Sequence, residues 1–170
     1  MEGLYALPRT GWVKRGVENP ESVGAHIDSL VTLVDVVSPH IPGLDTLKLQ
    51  NMLKVHDWPE YEVGDIVTAL LSGDELVKVR ASKYEQELAA MKKICAGLGA
   101  VGEECLGLWL EFEHGDSLEA NIGRQMDKLQ AVLKAAEYAR AGQPVQKQEF
   151  VDHAKKYITH PVLVKMMEEA

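Results

Sequence analysis

The neighbouring residues His56 and Asp57 could bind a metal ion, since imidazole nitrogens and carboxylate oxygens are both common metal ligands. They follow an apolar helical stretch and precede Trp58-Pro59. Adjacent helical side chains point about 100° apart, so both reach one ion only where a helix ends at a cavity. Glu60 and Asp65 follow closely, so these four ionisable side chains lie within ten residues.

A His-Asp pair alone is weak evidence, because a solvated surface pair is the ordinary alternative. The case is stronger because His26 lies beside the apolar stripe of one predicted helix and Asp127 lies next to the buried row of another. Two imidazoles and two carboxylates suit one divalent ion (Mn²⁺, Co²⁺, Ni²⁺, Fe²⁺ or Mg²⁺) rather than a closed thiolate zinc site. Four protein ligands leave open positions for water and a phosphate oxygen, as hydrolysis requires.

Helical patterns that could position these residues recur along the chain, and strand signals are nearly absent. Asn19-Pro20 predicts the start of a helix that ends at Ser38-Pro39. A second helix is predicted to begin near Asp45, and Ser82-x-x-Glu85 predicts a capping box at the start of a third. The remaining predicted helices are one ended by Gly115, one from about Ser117 to Arg140, and one or two short ones from Gln146 onward, divided at His160-Pro161.

The predicted fold class is therefore all-α, a single-domain helical bundle over residues 1–170. The motifs occupy about residues 5–140, and a helical tail covers residues 146–170. At 170 residues the chain is long enough to bury one core without disulfides.

Composition restricts the function. The formal net charge of −8 argues against binding to polymeric nucleic acid, because a protein that binds it needs a basic face. It leaves room for a small phosphorylated substrate, because a metal ion and a few cations can create a positive pocket. No apolar run is long enough to span a membrane, and the N-terminus lacks a secretory signal pattern. Cys95 and Cys105 are expected to be buried free thiols, which points to a reducing cytoplasm.

The order His26, then His56-Asp57, then Asp127 resembles the H…HD…D signature of the HD-domain phosphohydrolases. Further stretches resemble the 5′-deoxynucleotidase branch of that superfamily and occur in the same order. They are Arg9-Thr-Gly-Trp12, Glu21-Ser-Val-Gly-Ala-His26, His56-Asp-Trp-Pro-Glu60, Gly64-Asp65-Ile66 and Met126-Asp127-Lys128-Leu129.

The resemblance implies a helical bundle that holds one divalent metal ion and hydrolyses deoxyribonucleoside 5′-monophosphates to deoxynucleoside and phosphate. The implied metal ligands are His26, His56, Asp57 and Asp127, with Asp57 also counted as catalytic. The resemblance further implies a homodimer.

Other residues receive roles from the same resemblance. Glu60 would orient or protonate groups at the phosphoryl centre, and its apolar surroundings would raise its pKa. Asp65 would contact the sugar, where a missing 2′-hydroxyl is sensed, and Trp12 would pack beside the sugar or base. Apart from the resemblance, Arg9 and Arg15 supply positive charge near Trp12 and are the candidate phosphate-binding cations, since Arg grips phosphate in a bidentate way.

Lys83 is a further candidate for contact with the substrate phosphate.

The chain departs from the family pattern at two positions. Gly11 stands where the family has a basic residue before the Trp. Ala25 precedes His26 where the family commonly has Glu, which removes a possible partner of the imidazole.

Two other functions remain open from the sequence. A compact HD enzyme could instead release tripolyphosphate from a dNTP, or act as a phosphatase of another phosphorylated metabolite. The chain could also be a catalytically silent nucleotide-binding protein, although the intact ligand set with Glu60 argues against this.

Four further histidines are interpreted as helix-end or surface residues: His40, His114, His153 and His160.

Overall fold

A computed structural model of the chain describes residues 2–68 and 71–170. This part of the chain forms ten α-helices, a 3₁₀ helix at Ser38–His40, and no β-strand beyond an isolated bridge between Pro8 and Ser22. The helices are α1 (Glu2–Ala6), α2 (Thr10–Val13), α3 (Val23–Val37), α4 (Thr46–Val55), α5 (Glu60–Val63), α6 (Gly73–Ala96), α7 (Gly99–His114), α8 (Leu118–Arg140), α9 (Lys147–Ala154) and α10 (Pro161–Glu169). The all-α prediction is confirmed.

Several predicted helix boundaries are confirmed by their caps. The Asp45 carboxylate accepts a hydrogen bond from the backbone N–H of Lys48 at the start of α4. The Ser117 hydroxyl accepts one from Ala120 at the start of α8. Pro161 is the first residue of α10, as the His160-Pro161 division predicted.

Two predicted helix starts are wrong. Helix α3 begins at Val23 rather than at Pro20, because Ser22 is the residue whose side chain caps the helix and Asn19 has a positive φ of 52°. Ser82 and Glu85 lie inside α6, which begins at Gly73. The Ser82 hydroxyl accepts a hydrogen bond from the Gln86 side chain there and caps no helix.

The main core packs α3, α4, α7 and the C-terminal helices around α8. Its fully buried side chains include Leu30 and Val34 of α3, Leu53 of α4, and Met126 and Leu129 of α8. His26, His56 and Asp127 belong to these same three helices or their ends, so the packing of the core fixes their relative positions. The extent of a single domain over residues 1–170 stays a prediction.

Cys95 and Cys105 are free thiols, Cys95 buried and Cys105 half-buried. Among the described residues, no helix combines the length and apolar character that crossing a bilayer needs.

The close approach of α6 and α7 depends on Gly102. A Cβ at this position would lie 2.1 Å from the carbonyl oxygen and 2.9 Å from the carbonyl carbon of Cys95. Backbone atoms cannot move aside as a flexible side chain would, so any larger residue separates the two helices. Gly107 lies on the same helix, but a Cβ there would meet nothing within 4 Å.

We expect opposite effects from alanine at these two glycines. Gly102→Ala should lower the free energy of unfolding by about 1–3 kcal/mol, because the new methyl overlaps the α6 backbone. Gly107→Ala, the matched control, should raise it by about 0.5–1 kcal/mol, because glycine disfavours a helix interior. Urea unfolding followed by circular dichroism measures both changes. Equal effects of the two substitutions would contradict the steric role of Gly102.

Candidate metal centre

The two imidazoles of the candidate site are buried and hydrogen-bonded through Nδ1. Nδ1 of His56 lies 2.7 Å from the carbonyl oxygen of Leu53, and Nδ1 of His26 lies 2.8 Å from Oε1 of Gln130. A carbonyl oxygen can only accept, so each Nδ1 is the protonated nitrogen and donates. Each Nε2 is then free to act as a metal ligand.

Both Nε2 atoms face the Asp57 carboxylate. The distance to Asp57 Oδ2 is 3.1 Å from His56 and 3.7 Å from His26, and Asp127 Oδ1 lies 3.2 Å from His26 Nε2. Three possible ligand atoms, one each from His26, His56 and Asp57, lie within 4.8 Å of one another. Although both Nε2 atoms are buried, neither has a hydrogen-bond partner. Two unpartnered nitrogens beside two carboxylates are a donor set that fits a divalent cation.

The charges around this cluster hold both aspartates in the ionised form. Burial alone would raise the pKa of Asp57, but His56 and His26 in their protonated forms, together with Arg9, lower it well below its usual range. Burial would also raise the pKa of Asp127, which the Lys128 ammonium and His26 lower well below its usual value. Two carboxylates that stay ionised are available as ligands at any pH near neutrality.

A cavity of about 540 Å³ opens beside this cluster, within the size range of small-ligand sites. His56, Asp57 and Asp127 lie in its wall. The cationic side chains in the wall include Arg80, Lys83 and Lys128. Positive charge beside the aspartates is what an anionic substrate would need in a protein of net charge −8.

Three of the predicted catalytic or phosphate-binding residues lie close to the cluster. Glu60 is the first residue of α5 and is buried. The Lys83 ammonium lies 3.9 Å from Glu60 Oε1, and the Arg9 guanidinium lies 3.8 Å from Asp57 Oδ2. Burial, helped by the charges of Asp57 and Asp65, raises the pKa of Glu60 well above its usual value. Glu60 is therefore a carboxyl group that can retain a proton in the folded protein.

The other three predicted substrate-binding residues, Asp65, Trp12 and Arg15, contact other side chains or backbone atoms of the protein. The Asp65 carboxylate accepts a hydrogen bond of 2.6 Å from the backbone N–H of Thr10. Trp12 is only 3% exposed, with its ring stacked 4.7 Å from that of Phe150.

The Arg15 guanidinium lies 4.6 Å from the centre of the Phe150 ring, donates to the Gly11 carbonyl and pairs with Glu149. Neither Trp12 nor Arg15 lines the cavity beside the metal centre. Their binding to substrate, like the contact of Asp65 with a sugar, stays a prediction.

A family model described as HD domain matches residues 1–165. The chain belongs to the HD domain family. The 5′-deoxynucleotidase HDDC2 of Homo sapiens is 33% identical to it over 168 residues, which cover 98% of this chain and 78% of the relative. The 5′-deoxynucleotidase hdd1 of Schizosaccharomyces pombe is 29% identical, over 94% of this chain and 79% of the relative.

Solved structures share the helical fold of this chain. The PH0347 protein of Pyrococcus horikoshii OT3 superposes with a TM-score of 0.75 at 28% identity, over 99% of this chain and 92% of the other. A protein of Magnetospirillum magnetotacticum MS-1, described as a predicted metal-dependent phosphohydrolase, has a TM-score of 0.71 at 17% identity and shares the fold.

Gln130, a hydrogen-bond partner of the candidate ligand His26, was not predicted from the sequence. Gln130 lies one helical turn after Asp127 and supplies the hydrogen-bond acceptor that is missing at Ala25. Its place on the same face of α8 as Asp127 was the available signal. Arg80 and Lys128 of the cavity wall were also not predicted, because exposed lysines and arginines are ordinary on helix surfaces.

Glu87 is a second buried glutamate near the cluster, and unlike Glu60 it lies in the cavity wall. Its Oε1 lies 3.3 Å from the Lys83 ammonium. Burial raises the pKa of Glu87 from 4.5 to about 7, with Glu113 and Asp57 adding to the rise and Lys83 opposing it. Between those two pH values the unfolded chain releases this proton while the folded chain keeps it. Stability linked to Glu87 therefore falls as the pH rises through this window.

We expect Glu87→Gln to remove this loss of stability. Near pH 5 native and variant proteins should differ little, because the native side chain is also largely protonated. Near pH 8 the variant should be the more stable, by at most on the order of 3 kcal/mol for a shift of this size. Urea unfolding at both pH values, with chelator present, measures the change. Glu85→Gln, on the exposed face of the same helix, is the control, and a similar pH-dependent gain there would contradict the assignment.

Proposed function

We propose that this HD domain is a divalent-metal-dependent 5′-deoxynucleotidase, which converts deoxyribonucleoside 5′-monophosphates to deoxynucleoside and phosphate. The observation that carries the proposal is the pair of buried, unpartnered Nε2 atoms of His26 and His56 that face two carboxylates. Relatives named 5′-deoxynucleotidase, which match almost the whole chain, support the choice of substrate.

In this proposal His26, His56, Asp57 and Asp127 hold one ion of Mn²⁺, Co²⁺, Ni²⁺, Fe²⁺ or Mg²⁺. When bound, such an ion activates water for attack and neutralises charge on the phosphoryl oxygens. The protein contributes a fixed ligand geometry, because three core helices set the positions of these side chains.

The substrate phosphate would lie against cations of the cavity. Lys83 and Lys128 are in its wall, and the Arg9 guanidinium approaches Asp57 from close by. Burial by itself would lower the pKa of Arg9, but the carboxylates of Asp127 and Asp57 outweigh this effect and raise the pKa above its usual value, so Arg9 is charged. A phosphate monoester dianion would be paired on several sides by these groups.

Glu60 would serve as the general acid. Its raised pKa lets it carry a proton, and it directly follows the turn that holds Asp57. As the water oxygen bonds to phosphorus, the bond from phosphorus to the 5′ oxygen breaks. That 5′ oxygen takes up the proton from Glu60, and the attacking water leaves its protons on the phosphate, so the products are neutral deoxynucleoside and phosphate. Glu60 would regain a proton from the phosphate product or from solvent before the next turnover. Lys83, 3.9 Å from Glu60, would stabilise the carboxylate that results.

The reaction product separates this proposal from its rivals. The native protein with Mn²⁺ or Co²⁺ should release orthophosphate from dAMP, dGMP, dCMP or dTMP, and Asp57→Asn should lose essentially all of this activity together with metal retention. Asp35→Asn, an exposed aspartate on α3, is the control and should behave as the native protein. Orthophosphate assays, ion chromatography and metal analysis measure these outcomes. Tripolyphosphate release from dNTPs, or nucleotide binding without turnover, would overturn the proposal.

The role of Glu60 makes a separate prediction. Glu60→Gln should keep the metal ion with nearly native affinity but lower kcat by about 100-fold or more, because the proton donor for the leaving group is lost. Glu62→Gln is the matched control on the same short helix, where the carboxylate is exposed and pairs with Lys93. Steady-state kinetics at saturating metal measure both variants. A native kcat in Glu60→Gln would remove this residue from the mechanism.

We further propose that the enzyme acts as a homodimer in the cytoplasm on small nucleotides. The homodimer follows from the family resemblance, and the two free thiols suit a reducing compartment.

A further inference from the structure

A chain of buried hydrogen bonds leads from Trp12 to the candidate ligand His26. The indole N–H of Trp12 donates to Glu21 Oε1 at 3.0 Å, and the amide nitrogen of Gln130 donates to Glu21 Oε2 at 3.0 Å. Oε1 of the same Gln130 amide lies 2.8 Å from His26 Nδ1. All four side chains are less than 9% exposed.

The direction of each hydrogen bond follows from Glu21. Its carboxylate, 3.8 Å from the Lys134 ammonium, only accepts. The amide nitrogen of Gln130 must therefore face Glu21, and the amide oxygen must face His26. Because this oxygen also only accepts, the proton of the neutral imidazole is held on Nδ1 and the lone pair on Nε2.

The alternative tautomer of His26 would damage the metal centre. With the proton on Nε2, that nitrogen would donate to Asp127 Oδ1, which lies 3.2 Å away. One hydrogen bond would then occupy both a nitrogen ligand and a carboxylate ligand. His56 needs no such side-chain control, because its Nδ1 faces the backbone carbonyl of Leu53.

We propose that Glu21 and Gln130 are positioning residues that fix the tautomer and ring orientation of His26 and thereby raise the affinity of the metal centre. The proposal rests on the metal centre of the proposed function. It gives Trp12 a role through Glu21, as the donor that holds one carboxylate oxygen while Gln130 binds the other. Outer partners of ligating histidines commonly contribute in this way.

An exchange of the two side chains tests the order of donors and acceptors. Glu21→Gln removes the carboxylate that orients the Gln130 amide, and Gln130→Glu sets two carboxylates against each other. Each should weaken Mn²⁺ binding about 10–100-fold. The double variant Glu21→Gln/Gln130→Glu restores a donor at position 21, an acceptor toward His26 and the original net charge. Its affinity should return to within about threefold of native.

Calorimetric titration of metal-free protein with Mn²⁺ alone measures these affinities, with thermal melts of each variant to verify folding. Gln125→Glu is the matched control. Gln125 is also a buried glutamine of α8, but its Oε1 accepts from the backbone N–H groups of Thr159 and His160. This control should not lower Mn²⁺ affinity.

The tautomer itself is measurable by long-range ¹H–¹⁵N spectroscopy of the metal-free protein near pH 8. Native His26 should be protonated at Nδ1, and Glu21→Gln should populate the form protonated at Nε2. A native His26 with an unprotonated Nδ1 would overturn the proposal.

The outcomes of the titration separate the two proposals. If the native protein binds neither Mn²⁺ nor any of Co²⁺, Ni²⁺, Fe²⁺ and Mg²⁺ in the same titration, the metal centre and the proposed function both fail. If the native protein binds Mn²⁺ and both single variants bind as tightly, the positioning role fails while the function stands. Weakened single variants without recovery in the double variant would also overturn the order of donors and acceptors.

Discussion

Two buried imidazoles with their Nε2 atoms turned toward one carboxylate are the constraint on which this structure depends. Each Nδ1 is bound to an oxygen that can only accept, so each Nε2 offers a lone pair at an atom that is itself buried. A buried polar atom without a partner costs about 1–3 kcal/mol. The fold carries that cost at two atoms a few ångströms apart, and a shared cation is the ligand that would satisfy both nitrogens together with the carboxylates.

The helices around the centre hold its residues in place through the main core. Helices α3, α4 and α8 share this core, and they fix the positions of His26, of the end of α4 and of Asp127. Leu30 and Val34 of α3, Leu53 of α4 and Met126 of α8 are fully buried and pack without freedom to shift. Positions that loops would leave variable are thus fixed by the stability of the core itself.

Charge around the cavity explains how an acidic chain can accept an anionic substrate. The net charge is −8, yet the carboxylates nearest the cavity are either ionised and turned toward the candidate metal position or inclined to keep a proton. Arg9, Lys83 and Lys128 face the same region. The local charge, rather than the sum over the chain, decides what the site can bind.

The sequence by itself determined the helical fold, the residue types of the centre and several helix ends. Asp45, Ser117 and Pro161 act on their own neighbours, so local chemistry was enough to predict the helices that they begin. The start of α6 was missed, because the Ser82–Glu85 pattern is as compatible with a helix interior as with a cap.

Only the tertiary structure decided which residues meet. Gln130 contacts His26 across 104 positions of sequence and Glu21 across 109, and Trp12 lies in an aromatic cluster instead of the cavity wall. Such pairings arise from how α3 and the segment before it pack against α8. No periodicity within a helix encodes them, because the same amphipathic stripe permits many rotations and offsets between two helices.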